Sequence, residues 1–272
     1  MDAFARPGTA SGLELLHAPT PRDDAYAAPL LFVHGAYVGA WCWAEHFLPY
    51  FAAAGFESYA LSLRGHGGSP RGESLSSHSI DDYVADVVEA IDAIGTPPVV
   101  LGHSMGGFVL QRLLARRALP AAVMLASVPP QGLGAASFEL AWRDPSLLTE
   151  LNGLLQGGRA SPAALMRAMF ATAIDVARLE RYYRLTQRES QRAIWDMTFV
   201  SPFQTWPQHG VPVLYLAAEH DRLIPLHHQR VGAGMLRTVA EVQPGLGHGL
   251  MLETEWMRVA DRVIGWLREI GP

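Results

Sequence analysis

The sequence predicts an α/β fold: a doubly wound, mostly parallel sheet with a helical cap inserted before the penultimate core strand. Short, continuously apolar runs alternate with helix-period segments, as in a sheet covered on both faces. Near Pro129-Pro130 that alternation gives way to helix-like segments alone, and it resumes at "VPVLYLAA". With 272 residues, 49% of them apolar, the chain is long enough to bury one large core.

"PLLFV" (29–33) is an apolar run that stops at His34-Gly35, a buried strand ending in a tight loop. "AWCWAEHFLPYFAAAG" follows with helical spacing and a glycine stop at Gly55. "FESYALSL" reads as the next strand and "RGHGGSPRGE" as its loop. "SIDDYVADVVEAIDAIG" is a helix with Ser79 as N-cap, Asp81 and Asp82 in the first turn and Gly95 as its stop. The strand "VVLGHS", the helix "GFVLQRLLARRA" and the strand "AAVMLAS" continue the pattern. From about 131 to 208 four helix-like segments are expected, punctuated by Asp144-Pro145, Ser161-Pro162 and Ser201-Pro202. Their apolar residues, among them Phe138, Trp142, Leu148, Met169, Tyr183, Trp195, Phe199 and Trp206, are expected mainly to pack the cap on the core, with a minority lining a pocket. A last helix lies near "TEWMRVADRVIGWLREI". The expected division is 1–130 and 209–272 as one core and 131–208 as its cap.

The balance of 21 basic and 26 acidic residues, with no basic run interleaved with aromatics, argues against a nucleic-acid partner. The single cysteine, Cys42, excludes an intrachain disulfide. The first residues lack a basic segment followed by an apolar one, and no apolar run reaches the roughly 18 residues a spanning helix needs. The expectation is a cytoplasmic chain with a small-molecule substrate and no membrane partner. No cofactor is expected, and no metal: Glu219, His220 and Asp221 belong to another loop, while His227-His228 lacks further ligands at helix-face spacing.

Gly102-His103-Ser104-Met105-Gly106 stands between an apolar strand and a helix. Small residues two before and two after a serine let strand and helix approach, and the turn exposes the serine hydroxyl above the sheet. The helix beginning there aims free N–H groups at the same spot, where a developing oxyanion would be stabilised. Ser104 is therefore the candidate nucleophile. A serine needs a base, and the base a carboxylate that fixes its tautomer. His248, in the glycine-flanked "QPGLGHGLMLE", is the candidate base. Asp221, at the end of the strand "VPVLYLAAEHDRLIP", is the candidate acid, with Glu219 as the competing carboxylate. Their order is Ser, Asp, His, with Asp221 following Ser104 by 117 residues and preceding His248 by 27.

The ordered blocks "FVHGAYVGAWCW", "LSLRGHGGS", "GHSMGG", "AAEHDRLIP" and "LGHGLMLE" resemble the α/β-hydrolase superfamily over nearly the whole chain, specifically its lipase, esterase and haloperoxidase-like branch with a helical lid. The resemblance implies the α/β-hydrolase fold, the triad Ser104, Asp221 and His248, and an oxyanion hole formed by the amides of Ala36 and Met105. Tyr37 is an alternative donor, and His34 reads as a structural brace. One departure is Ser62, where the family's loop carries aspartate; this leaves the bracing of Arg64 open, while His66 and Arg64 are expected to hold the loop. The activity implied is ester hydrolysis on a largely apolar substrate. Carbon–carbon bond hydrolysis, thioester hydrolysis, perhydrolysis, cofactor-free lyase or dioxygenase chemistry, and a non-catalytic receptor are the alternatives.

Overall fold

The computed structural model describes residues 4–22, 25–72, 74–156, 158, 160–199 and 210–271. Four wholly or largely buried apolar runs form the centre of the sheet: β2 (Leu30–Val33), β4 (Val99–His103), β5 (Ala122–Leu125) and β6 (Val213–Ala218). β3 (Ser58–Leu61) pairs parallel with β2, β1 (Leu15–Ala18) closes one edge antiparallel to β3, and β7 (Ala240–Gln243) closes the other, giving the order β1-β3-β2-β4-β5-β6-β7. The chain leaves β2 for β3 on one side and returns to β4 on the other. The crevice at the C-terminal ends of β2 and β4 is thus a topological switch point, where open α/β sheets bind ligands.

Helices cover both faces. α1 (Trp41–Ala44), α2 (Phe47–Ala53) and α11 (Trp256–Ile270) bury Trp43, Phe47, Phe51, Val263 and Leu267 against one face. α3 (Ile80–Ile94) and α4 (Met105–Leu114) bury Tyr83, Val87, Phe108 and Val109 against the other. The α3 N-terminus is the expected one: Ser79 Oγ accepts from the Asp82 amide, Asp82 accepts from the Ser79 amide, and Gly95 ends the helix at φ 79°. The segment read as one helix ending at Gly55 is instead the α1–α2 pair. Pro49 has no N–H for Glu45 O and its ring crowds that carbonyl, so the helix breaks between the two.

Between β5 and β6 the described residues hold five helices rather than four: α5 (Gly134–Arg143), α6 (Pro145–Leu155), α7 (Pro162–Met169), α8 (Val176–Leu185) and α9 (Gln191–Thr198). Asp144 caps α6 and Ser161 caps α7, each followed by proline at the first helical position. Leu140, Leu147, Ala160, Ala164 and Ala168 form a small core of this layer. Phe138, Trp142, Trp195 and Phe199 point to solvent instead of packing on the core. Trp206 and Ser201-Pro202 lie outside the described residues. The edge strands β1 and β7, and α10 (Leu226–Met235), have no counterpart in the sequence reading: both strands are four residues long, and β1 (LLHA) and β7 (AEVQ) each carry polar residues. Among the described residues no helix is long and apolar enough to cross a membrane.

Candidate active site

Ser104 stands between β4 and α4 with φ 51° and ψ −115°, left-handed backbone that a residue with a Cβ adopts only under constraint. The constraint is contact. A methyl on Gly102 would run into Gly106 O, one on Gly106 into the carbonyls of Val33 and His34, and one on Gly107 into Ser127 Oγ. The turn is clamped further by the Ser104 amide donating to Leu125 O (3.0 Å) and by Ser104 O accepting from Gly107, Phe108 and Val128.

His248 and Asp221 are brought together as expected. The His248 Nδ1–H donates to Asp221 Oδ2 at 2.7 Å, with both side chains buried. Asp221 Oδ1 accepts from the amides of Leu223 (2.9 Å) and Ile224 (2.8 Å), and Oδ2 also accepts from Gln229 Nε2 (3.1 Å). The carboxylate is thus solvated by protein donors in place of water. Glu219 turns away, accepting from the Gly245 amide at 2.8 Å.

Ser104, Met105, Ala36 and His248 line one cavity of about 180 Å³, roofed by apolar cap residues including Leu140, Leu148, Leu151 and Met169. The Ala36 and Met105 amides have no hydrogen-bond acceptor among the described residues. Tyr37, the alternative donor, faces another acceptor: its amide donates to Glu189 Oε2 at 3.3 Å.

Three residues that sequence reasoning left unassigned hold the surrounding loops. His103 Nε2–H donates to His248 O at 2.9 Å, bracing the loop of His248 from beside Ser104. Burial first, then the neighbouring His248, hold its pKa well below the ordinary imidazole value, so it is neutral. Glu253 Oε1 accepts from Ala171 of the helical layer (2.7 Å) and from Gly247 beside His248 (2.8 Å). Glu189, fully buried at the start of α9, accepts from Tyr83 OH (2.7 Å), the Ser190 amide (2.7 Å) and His66 Nε2–H (2.9 Å). His103 and Glu253 lie inside quoted motifs, but Glu189 carries no local signal.

The braces behave as read. The His34 Nδ1–H donates to Gly35 O (2.7 Å) and Nε2 accepts from Leu63 N (3.0 Å), with burial and the nearby His66 depressing its pKa to about 3. Arg64 is held by Asp86 and Asp82. The carboxylate missing at Ser62 comes from the residue before β1: Ser62 Oγ donates to Glu14 Oε2 (2.7 Å) and accepts from the Ala40 amide (2.9 Å).

The fold is shared with solved structures. An esterase from Exiguobacterium antarcticum superposes with a TM-score of 0.75 over 97% of this chain and 99% of its own at 15% identity. In sequence, a monoacylglycerol lipase from Mycolicibacterium smegmatis is 27% identical over 239 residues, 82% of each chain. Epoxide hydrolase A from Mycobacterium tuberculosis is 31% identical over 160 residues, 53% of this chain and 47% of its own. The model of the alpha/beta hydrolase family matches residues 30–262, and with the sheet order and the serine turn already described this places the chain in that family.

Proposed function

We propose that the chain is a serine hydrolase that cleaves a carboxylic ester of a small to medium, largely apolar substrate. One observation carries the reading: the strained Ser104 shares a cavity with His248, whose far ring nitrogen is anchored on Asp221. In this reading residues 131–208 are the cap of one catalytic domain made of 1–130 and 209–272.

His248 Nε2, which has no acceptor or donor among the described residues, takes the Ser104 proton as Oγ attacks the ester carbonyl. Asp221 holds the ring so that Nε2 is the basic nitrogen, and stabilises the imidazolium that forms. The Met105 amide, at the N-terminus of α4, and the Ala36 amide, in the loop after β2, stabilise the tetrahedral oxyanion; one such donor is typically worth about 3 kcal/mol. The imidazolium then returns its proton to the departing alcohol, leaving Ser104 acylated. Water, deprotonated by the same nitrogen, releases the acid and restores the serine. The leucine-rich roof favours an alkyl acyl or alcohol group and offers few partners to a charged one.

The test is a series of p-nitrophenyl esters of increasing acyl length, with Ser104→Ala alongside. Turnover that peaks at one chain length and falls by roughly 10⁴-fold or more in the variant supports the reading. Equal turnover by Ser104→Ala, or failure of the wild type to react with a fluorophosphonate, overturns it.

A further inference from the structure

At the start of α10 two histidines stand side by side, and the fold supplies what their own helix does not. Glu139, on cap helix α5, reaches across to them: its Oε2 lies 3.1 Å from His227 Nε2 and 3.3 Å from His228 Nε2. The three potential ligand atoms fall within 4.8 Å of one another. Two imidazole nitrogens and one carboxylate oxygen make a donor set suited to borderline divalent ions. Ligands about 2.0–2.2 Å from a tetrahedral ion stand about 3.3–3.6 Å apart, so the two carboxylate–imidazole edges already approximate those of such a site.

The surroundings favour the same oxygen. Arg143 holds the other carboxylate oxygen, Oε1, at 2.7 Å, leaving Oε2 to the histidines. Gln131 Nε2 donates to His228 O (3.4 Å), which ties this turn of α10 to the start of the cap. The His228 side chain is largely buried, whereas that of His227 is 61% exposed and leaves a path for an ion and its remaining water ligand.

We propose that Glu139, His227 and His228 bind one divalent transition-metal ion of the zinc class, completed by water, and that this ion staples cap helix α5 to core helix α10. The site departs from the metal-free expectation because its third ligand lies 88 residues before the first histidine, where helix spacing cannot reveal it. α5 also lines the cavity through Ser137 and Leu140. A bound ion therefore fixes one cavity wall without touching Ser104. The proposal is independent of the hydrolytic reading, since its readouts are binding and thermal stability.

Chelator-treated protein titrated with Zn²⁺ by calorimetry, and with Co²⁺ by visible absorption, should bind one equivalent and melt at a higher temperature when loaded. Glu139→Gln, His227→Ala and His228→Ala should each weaken binding by at least the roughly tenfold that loss of a ligand's outer partner costs, and should lose the rise in melting temperature. His17→Ala, beside Glu57 at the opposite edge of the sheet, should bind as the wild type does. Absence of binding, or equal affinity in all four variants, overturns the site. If the histidine variants weaken binding and Glu139→Gln does not, the ion sits on α10 alone and the staple is overturned.

Discussion

Two buried carboxylate–imidazole pairs flank the cavity, and they are built for opposite ends. Asp221 and His248 meet at 2.7 Å, Glu189 and His66 at 2.9 Å. In the first pair only Nδ1 is engaged, and the second nitrogen is left to the cavity. In the second, His66 Nδ1 faces the carbonyl of Arg64 at 3.0 Å and Nε2 faces the carboxylate of Glu189, so both nitrogens meet acceptors and the arrangement favours the protonated ring. The difference lies in the second nitrogen. A ring with one spare lone pair can move a proton; a ring with none can only hold structure together. What the second pair holds is the junction of three segments: the loop at 64–67, Tyr37 beside the Ala36 amide, and the start of α9 in the cap. Gln187 strengthens that junction, its amide donating to Tyr37 O (2.9 Å) and its side chain bonding Gly65 O and the Gly67 amide.

Asp221→Asn should break the comparison most sharply. It keeps the shape but presents the wrong partner to Nδ1, and kcat for ester turnover should fall by roughly 10⁴-fold with the melting temperature much less affected. Glu189→Gln should do the reverse. It leaves a buried imidazolium without its counter-charge, a loss of about 3–5 kcal/mol on denaturant unfolding, while turnover of the surviving folded enzyme falls far less than in Asp221→Asn.

Titration sharpens the contrast. Burial alone would push Glu189 up and His66 down; their mutual attraction, helped by the donors of Tyr83 and Ser190, holds Glu189 below and His66 above its ordinary value. His34 and Asp86 also face this ring, the first neutral and the second adding attraction. Stability contributed by His66 is therefore complete below about pH 6.5 and lost as pH rises through its raised value, while that from Glu189 is complete above about pH 4.5 and lost as pH falls through its lowered value. The gap in stability between wild type and Glu189→Gln should be widest between those limits and narrow on the alkaline side; a gap that grows steadily above pH 7 contradicts the charge assignment. The smallest effect belongs to Ser62→Ala, which unpairs the Ala40 amide from its side-chain acceptor and should cost about 1–2 kcal/mol with little change in kcat.

The centre of the fold and the serine turn were legible because both rest on local pattern. An apolar run, a glycine on either side of Ser104 and a helix after it are all the turn needs, and Asp221 and His248 follow from strand-end loops. Glu189, Glu14 and Glu139 were not legible, since each acts on residues distant in sequence and nothing beside it marks the role. Ser62 shows the same limit from the other side: the loop's carboxylate is present, but it comes from Glu14, just before β1, a strand that itself escaped the hydrophobic pattern. The exposed Trp142 and Trp195 satisfy helical periodicity as well as a core residue would, so periodicity alone assigned them to the interior.

The bonds between the end of α7 and the loop of His248 have a mechanical consequence. The Gly249 amide donates to Met169 O at 2.7 Å, and Glu253 joins Ala171 to Gly247, where even a methyl on Gly247 would collide with the cap backbone. This flank of the cap and the imidazole loop are one moving part. A displacement large enough to open it would carry His248 off Asp221, so a doorway there and an intact His248–Asp221 pair exclude each other. Passage that leaves the imidazole in place belongs elsewhere on the cap, where α5 and α6 line the cavity through Leu140, Leu148 and Leu151.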